Sequence, residues 1–272
     1  MLKAICVVSA NDCVVAMAEF LCGSEEVFVQ KMNDRAMQLG MNDTCFKNCH
    51  GIDEDGHVTS SFDIALMSKE LLNNHPSITQ YTTIWMDSLR NGESELSNTN
   101  RLVRTYNGCT GLKTGSTSLA LYNLSASATR NNLSLISVVM KAPTTKIRFS
   151  EAKILLDYGF SNYEFAKLAT KGAVVQNINV SKGTLNNLNL VFEHDSGALI
   201  KTGESRNIEQ EIIINENICA PISTNEILGK VNYYINGSLI NSVNLISEKE
   251  IPKKNFLNTF SYISEIWFNL LK

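Results

Sequence analysis

No uncharged apolar run in these 272 residues approaches the roughly 18 that a membrane-spanning helix needs, which excludes a conventional multispanning membrane protein. A dominant charge is missing too. With 24 Lys and Arg against 27 Asp and Glu, the net charge of −3 provides no field to gather nucleic acid, so no DNA or RNA partner is expected. The seven cysteines, at positions 6, 13, 22, 45, 49, 109 and 219, contain no C-x-x-C pair. Most lie inside apolar stretches, so they are expected to be buried free thiols acting as small hydrophobes. The cluster Cys45-x-x-x-Cys49-His50, with His57 beyond it, raises a structural metal. Its spacing fits neither a zinc knuckle nor a c-type haem box, and no metal or cofactor is expected.

What is present describes a folded chain. A hydrophobic fraction of 44% rules out global disorder, and 272 residues make one large domain or two ordinary ones. The opening Met1–Ala10 imitates a signal peptide, but Asn11-Asp12 interrupts it before signal length. Helical spacing then predicts helices at 16–21 and 25–39, with Gly40 at the stop, and at 62–73 behind a Ser60/Ser61 cap. Strands are predicted at 82–89, 102–105, 122–129 and 133–141, the last two flanking an Arg130-Asn131-Asn132 turn, and a closing helix at 147–156. Beyond about 163 the runs are short and β-like: 173–180, 188–192, 211–214, 231–235 and 239–246, with Asn236-Gly237 marking a hairpin. The expected organisation is one domain over 1–162, a small β-rich domain over 163–250, and a hinge and helix over 251–272.

Two short motifs stand out: Ser9-Ala10-Asn11 at a helix start, and Lys113-Thr114-Gly115-Ser116 before a strand. Their surroundings carry a resemblance. Ser9-Ala10-Asn11-Asp12 with Val15-Ala16-Met17-Ala18-Glu19, Met32-Asn33 through Leu39-Gly40-Met41 to Thr44-Cys45-Phe46-Lys47-Asn48, Gly51-Ile52-Asp53 through Gly56-His57 to Ser60-Ser61-Phe62-Asp63, and Asn98-Thr99-Asn100-Arg101-Leu102 ahead of Gly111-Leu112-Lys113-Thr114-Gly115 all fit one pattern. Ser125-Ala126 and Asp157-Tyr158-Gly159-Phe160 complete it. The chain resembles the low-molecular-mass penicillin-binding proteins, which are serine-type D-alanyl-D-alanine carboxypeptidases, over residues 1 to about 165, with a β-rich C-terminal domain to follow. The resemblance implies an α/β domain of the transpeptidase/β-lactamase-like kind, here incomplete, with helices on an antiparallel sheet. A small all-β domain and a C-terminal amphipathic helix come after it.

Cleaving a D-Ala-D-Ala amide needs an activated serine, a proton route to the leaving amine, and donors for the oxyanion. By resemblance, Ser9 relays the proton and Asn11 holds the base lysine and the substrate amide. Lys113 supplies a fixed positive charge beside Ser9, and Thr114 offers a hydroxyl to the terminal carboxylate. Gly115 leaves a gap for substrate backbone, and the Ser116 N–H is an oxyanion donor. Arg148 is either a second carboxylate anchor or an ordinary arginine on a helix surface. The implied ligands are a peptidoglycan stem peptide ending in D-Ala-D-Ala and β-lactams.

In that family the nucleophile and base come from an S-x-x-K helix start upstream of Ser9. Within these residues the pattern occurs only as Ser150-Glu151-Ala152-Lys153, in the wrong order and reading as an ordinary helix start. The expectation is therefore a family member truncated at its amino end, without signal peptide or nucleophile, and inactive alone. The family commonly has an acidic residue where this chain has Thr110. A class A β-lactamase shares the motifs, but the Glu93 and Glu95 region shows no deacylating pattern; a non-catalytic peptidoglycan-binding module is the alternative of another class. Residues 255–272, with Phe256, Phe260, Ile263, Trp267 and Leu270 at helical spacing behind Lys253-Lys254, are expected to lie on a membrane surface. Such an anchor belongs, in the intact family, to the outer face of the cytoplasmic membrane.

Overall fold

The computed structural model describes residues 1–255 together with Phe260 and Trp267. They form two compact units, Met1–Asn162 and Tyr163–Lys272. The expected amphipathic helix falls on residues outside the described ones, Asn255, Phe260 and Trp267 excepted. No described helix is long and apolar enough to cross a membrane.

The first unit opens with helices α1 (Leu2–Val8), α2 (Asn11–Cys22) and α3 (Glu25–Gln38). Ser9 joins α1 to α2 in the left-handed region, at φ 60° and ψ 44°, a conformation that costs a non-glycine residue roughly 1 kcal/mol and so marks the position. The Ser24 hydroxyl caps α3 by accepting from the Val27 N–H, and Glu25 and Glu26 lie in its first turn, where the helix dipole favours them. Helix α4 (Ser61–Asn74) is capped the same way by Ser60. Its buried Asp63 accepts from the Asp43 N–H at 2.9 Å and the Thr44 hydroxyl at 2.6 Å, which ties the loop over 41–60 to the helix.

A short helix α5 (Thr79–Thr82) leads to the small hairpin β1 (Met86–Leu89) and β2 (Ser94–Ser97), then to one helical turn, α6 (Leu102–Thr105). The antiparallel sheet β3–β4–β5 follows, built from Cys109–Thr117, Leu121–Arg130 and Leu133–Ala142. Asn131 and Asn132, both at positive φ, turn β4 into β5 as the predicted hairpin requires. Helix α7 (Thr145–Asn162) packs on this sheet, and Ala152 and Leu156 join Leu124, Ala126, Ala128 and Val139 in the core.

Four expectations are corrected. Leu102–Thr105 is helical, not a strand, because the Asn100 carboxamide oxygen accepts from the Leu102 N–H at 3.1 Å and starts a turn there. The strand predicted at 82–89 is limited to β1, since Thr82 ends α5. Helix α7 continues past Gly159, which is no stop signal: a Cβ there would lie 2.5 Å from Leu135 Cδ1, so the glycine permits close packing. The cysteines are free, yet only Cys6 is buried; Cys219 is exposed and the other five are half-buried.

Among its described residues the second unit is built on β-strands, with one 3-10 turn at Glu204–Asn207 and helical backbone at Phe260 and Trp267. Strands β6 (Tyr163–Ala169) and β9 (Ser196–Lys201) form one sheet. Strands β7 (Val174–Asn179), β8 (Asn187–Phe192), β10 (Ile208–Ile214), β11 (Ile227–Ile235) and β12 (Ser238–Ser247) form another, in the order β10-β11-β12-β8-β7. Sequence patterning missed β3, where the Lys-Thr-Gly motif was placed before a strand and not in one, and also β2, β6 and β9, which are short and half-exposed with little alternation. Tyr233, fully buried, donates its hydroxyl to the Leu168 carbonyl at 2.8 Å and so links the two sheets across a core of Leu188, Leu190, Val231, Val243 and Leu245.

Candidate active site

The α1–α2 junction and strand β3 border one cavity of about 1260 Å³ in the first unit. Ser9, Asn11, Lys113, Thr114, Gly115, Ser116 and Arg148, separated by up to 139 positions in the chain, all line it. The contact that organises the site is Lys113 Nζ, which donates to Ser9 Oγ at 2.8 Å and to the Thr114 carbonyl at 2.6 Å. Burial lowers the Lys113 pKa to about 8, the Arg148 charge pushes the same way, and Cys6 opposes. An ammonium poised near neutral pH, hydrogen-bonded to a hydroxyl, can hold an anion and modulate that hydroxyl's proton.

Strand pairing places the rest. Lys113 stands opposite Ser125 and Gly115 opposite Asn123 in the β3–β4 ladder, so Lys113, Gly115 and their neighbours follow the strand's alternation. The Thr114 hydroxyl donates to Thr99 Oγ1 at 2.7 Å, coupling β3 to the segment before α6. Asn11 is the first residue of α2 and is exposed at the cavity wall. At the far end, Asp53 accepts from the Ser118 hydroxyl and the Leu119 N–H, both at 3.2 Å, and holds the β3–β4 turn against the loop over 41–60.

Arg148 is only 6% exposed, which removes it from the helix surface. One terminal nitrogen donates to the carbonyls of Asn123 at 3.2 Å and Gly115 at 3.4 Å, while its Nε is buried without a partner. The guanidinium lies over Phe149 and Tyr122, at 4.7 and 5.6 Å from the ring centroids. It therefore braces β3, which carries the Lys-Thr-Gly segment, against β4. Burial lowers its proton affinity, and the neighbouring Arg101 charge pushes the same way despite an opposing Tyr122.

The S-x-x-K match at Ser150 and Lys153 is elsewhere: both residues are exposed on α7 and neither lines the cavity. Among the described residues no group of three or more His, Cys, Asp or Glu is arranged to hold a metal. Cys45 pairs through its backbone with Val58. The thiol of Cys49, half-buried and beside Glu25, is pushed up to about 12 by desolvation and the Glu25 carboxylate, which leaves it unreactive. Sequence reasoning did not single out Trp85, Thr99, Arg101, Arg104 or Tyr122 as site residues, although all line the cavity. The Asn98–Leu102 segment was the available signal for two of them.

Gly111 positions β3 without touching the cavity. Its φ is +137°, and a Cβ would lie 2.7 Å from both Cβ and Oγ1 of Thr82. Gly111→Ala is expected to destabilise the first unit by about 2 kcal/mol through strain and overlap. Urea denaturation checks this; an unchanged midpoint would mean that Thr82 and the strand yield freely.

The hydrogen bond from Lys113 to Ser9 thus brings the two short motifs together at one cavity. The chain belongs to the D-alanyl-D-alanine carboxypeptidase family, whose model matches residues 1–144, and a model of the penicillin-binding protein 5 C-terminal domain matches residues 163–253. It is 40% identical over 261 residues to D-alanyl-D-alanine carboxypeptidase DacF of Bacillus subtilis, covering 94% of this chain and 67% of that protein. It is 33% identical over 250 residues to DacA of Escherichia coli, covering 91% of this chain and 62% of that one. Penicillin-binding protein 5 of Haemophilus influenzae has a similar structure, with TM-score 0.71 and 33% identity over 92% of this chain and 73% of that one. The chain thus spans about two thirds of the length of these curated relatives. The expected fold class, a helix-and-antiparallel-sheet peptidase domain followed by an all-β domain, agrees with both family models and this structure.

Proposed function

We propose that the cavity is the carboxylate-binding and proton-relay part of a serine-type D-Ala-D-Ala carboxypeptidase site acting in peptidoglycan maturation. The Lys113–Ser9 hydrogen bond carries this reading, because it joins the two motifs across 104 positions. In the reaction, a serine from an S-x-x-K segment attacks the carbonyl of the penultimate D-Ala, and the Ser116 N–H helps hold the oxyanion. The tetrahedral intermediate then breaks its C–N bond. Ser9 Oγ passes a proton to the departing D-Ala amine and regains one from the S-x-x-K lysine, which took it from the attacking serine, while Lys113 holds Ser9 in place by donating to its Oγ. Water subsequently hydrolyses the acyl-enzyme. Throughout, Thr114, Lys113 and Arg148 face the terminal carboxylate and Asn11 the substrate amide. β-Lactams enter as acylating mimics of the same peptide. The reading places the protein at the outer face of the cytoplasmic membrane, held at the membrane surface through 255–272.

The S-x-x-K pair at 150–153 does no part of this work, since it is exposed on α7. A polypeptide of these 272 residues should therefore resist covalent labelling by a fluorescent penicillin. Joined to the S-x-x-K segment of a relative, it should label stoichiometrically. Labelling of the 272-residue chain would show that a nucleophile among these residues suffices. No labelling of the joined protein would favour a non-catalytic peptidoglycan-binding module.

A further inference from the structure

Among the described residues the cavity is lined by Arg101, Arg104, Lys113 and Arg148 and by no aspartate or glutamate, although the chain as a whole carries a net charge of −3. Lys113 and Arg148 belong to the floor beside Thr114 and Gly115. Arg104 belongs to a different element, the turn α6 that replaces the strand expected from the sequence, and Arg101 is the residue at its N-cap. That replacement matters. In a strand, positions 101 and 104 would point to opposite faces, whereas one helical turn puts residues three and four apart on one face. Arg101 has helical φ and ψ, and Arg101, Arg104 and Thr105 all line the cavity.

Neither arginine has a salt-bridge partner among the described residues, so their charge is not spent on this chain's own carboxylates. The Arg104 guanidinium is seated over the Trp85 ring, 5.6 Å from its centroid, and Trp85 lines the same cavity. Stacking of this kind fixes the plane of a guanidinium while leaving its N–H edge free for a planar anion. The function proposed above assigns the terminal carboxylate of a substrate to the Lys113–Thr114 end, which leaves Arg101 and Arg104 for charge elsewhere on the same ligand.

We propose that Arg101 and Arg104 form a second anion subsite, and that the preferred ligand is a D-Ala-D-Ala peptide bearing another free carboxylate upstream of its terminus. This rests on the function proposed above and adds a substrate class to it: acidic stem peptides over neutral or amidated ones. Bidentate recognition of carboxylate by arginine would make the discrimination depend on the upstream charge and weaken it with salt.

Isothermal titration of the 272-residue chain with three peptides tests it. One has an upstream carboxylate, one has that group as a carboxamide, and one has the terminal carboxylate amidated instead. The first is expected to bind roughly tenfold tighter than the second, with the ratio falling toward one in Arg101→Gln/Arg104→Gln and at high salt. Thermal unfolding of the variant confirms that it is folded. Equal binding of the first two peptides, or a ratio unchanged in the double variant, overturns the subsite while leaving the proposed function standing. No loss of binding on amidating the terminus, or no binding by any peptide, overturns the proposed function and the subsite with it.

Discussion

Replacing Lys113 by Ala, in these residues joined to an S-x-x-K segment, is expected to lower carboxypeptidase turnover by about 10²–10³-fold without unfolding the protein. The side chain donates to Ser9 and to the Thr114 carbonyl at the cavity wall, and it lies outside the apolar cluster that holds β4 against α7. Its loss removes both the charge facing a substrate carboxylate and the group that orients Ser9. Steady-state kinetics with a D-Ala-D-Ala peptide checks this, and wild-type turnover would take Lys113 out of the site. Two pH signatures accompany it. In the folded protein the pKa is about 8, below the ordinary 10.5, because burial disfavours the ammonium. Carboxylate binding that depends on Lys113 should therefore be full below about pH 8 and fade above it. Stability runs the other way: the unfolded chain holds that proton more tightly, so Lys113 costs stability below pH 8 and the cost disappears between 8 and 10.5. A Lys113→Met variant should lack this rise in stability with pH.

The sequence was legible where local chemistry and motif spacing agreed. Ser60 reads as a cap and is one, and Asn131-Asn132 reads as a hairpin turn and is one. The Ser9 and Lys113 motifs could be joined because family spacing says that they meet, whereas no periodicity in the chain says so. What stayed hidden depended on long-range packing. Nothing local reveals that Gly159 lies inside a helix against Leu135, or that the Asn100 side chain folds residues 102–105 into a turn. The second error concealed the site's other cations, since only a helical turn running on from Arg101 brings Arg104 round to the same side. Arg148 was ambiguous for a related reason: helix periodicity cannot distinguish a solvated arginine from one driven between two strands, and only its contacts with Gly115 and Asn123 decide.

Gly115→Val separates the fold from the ligand more sharply than any charge substitution. An added Cβ at Gly115 meets nothing within 4 Å, in contrast to Gly111, and its φ lies outside the left-handed range. The residue is exposed in β3, in register with Asn123, and its neighbours Thr114 and Ser116 border the same cavity. The protein alone therefore gives no reason for glycine here. A strand interior ordinarily loses stability to glycine, so valine should leave the unfolding midpoint unchanged or raise it slightly, within about 1 kcal/mol. The empty volume faces the cavity, where a substrate backbone running along β3 would pass. Two γ-methyl groups in that volume would hold the peptide off the strand and away from Thr114 and the Ser116 N–H. Loss of close approach along a pairing strand should weaken D-Ala-D-Ala peptide affinity at least about 100-fold, the scale of a few lost hydrogen bonds. Urea denaturation and calorimetric titration on one preparation give both numbers. If valine lowers stability and binding together, Gly115 is a folding residue; if it changes neither, the ligand does not lie along β3.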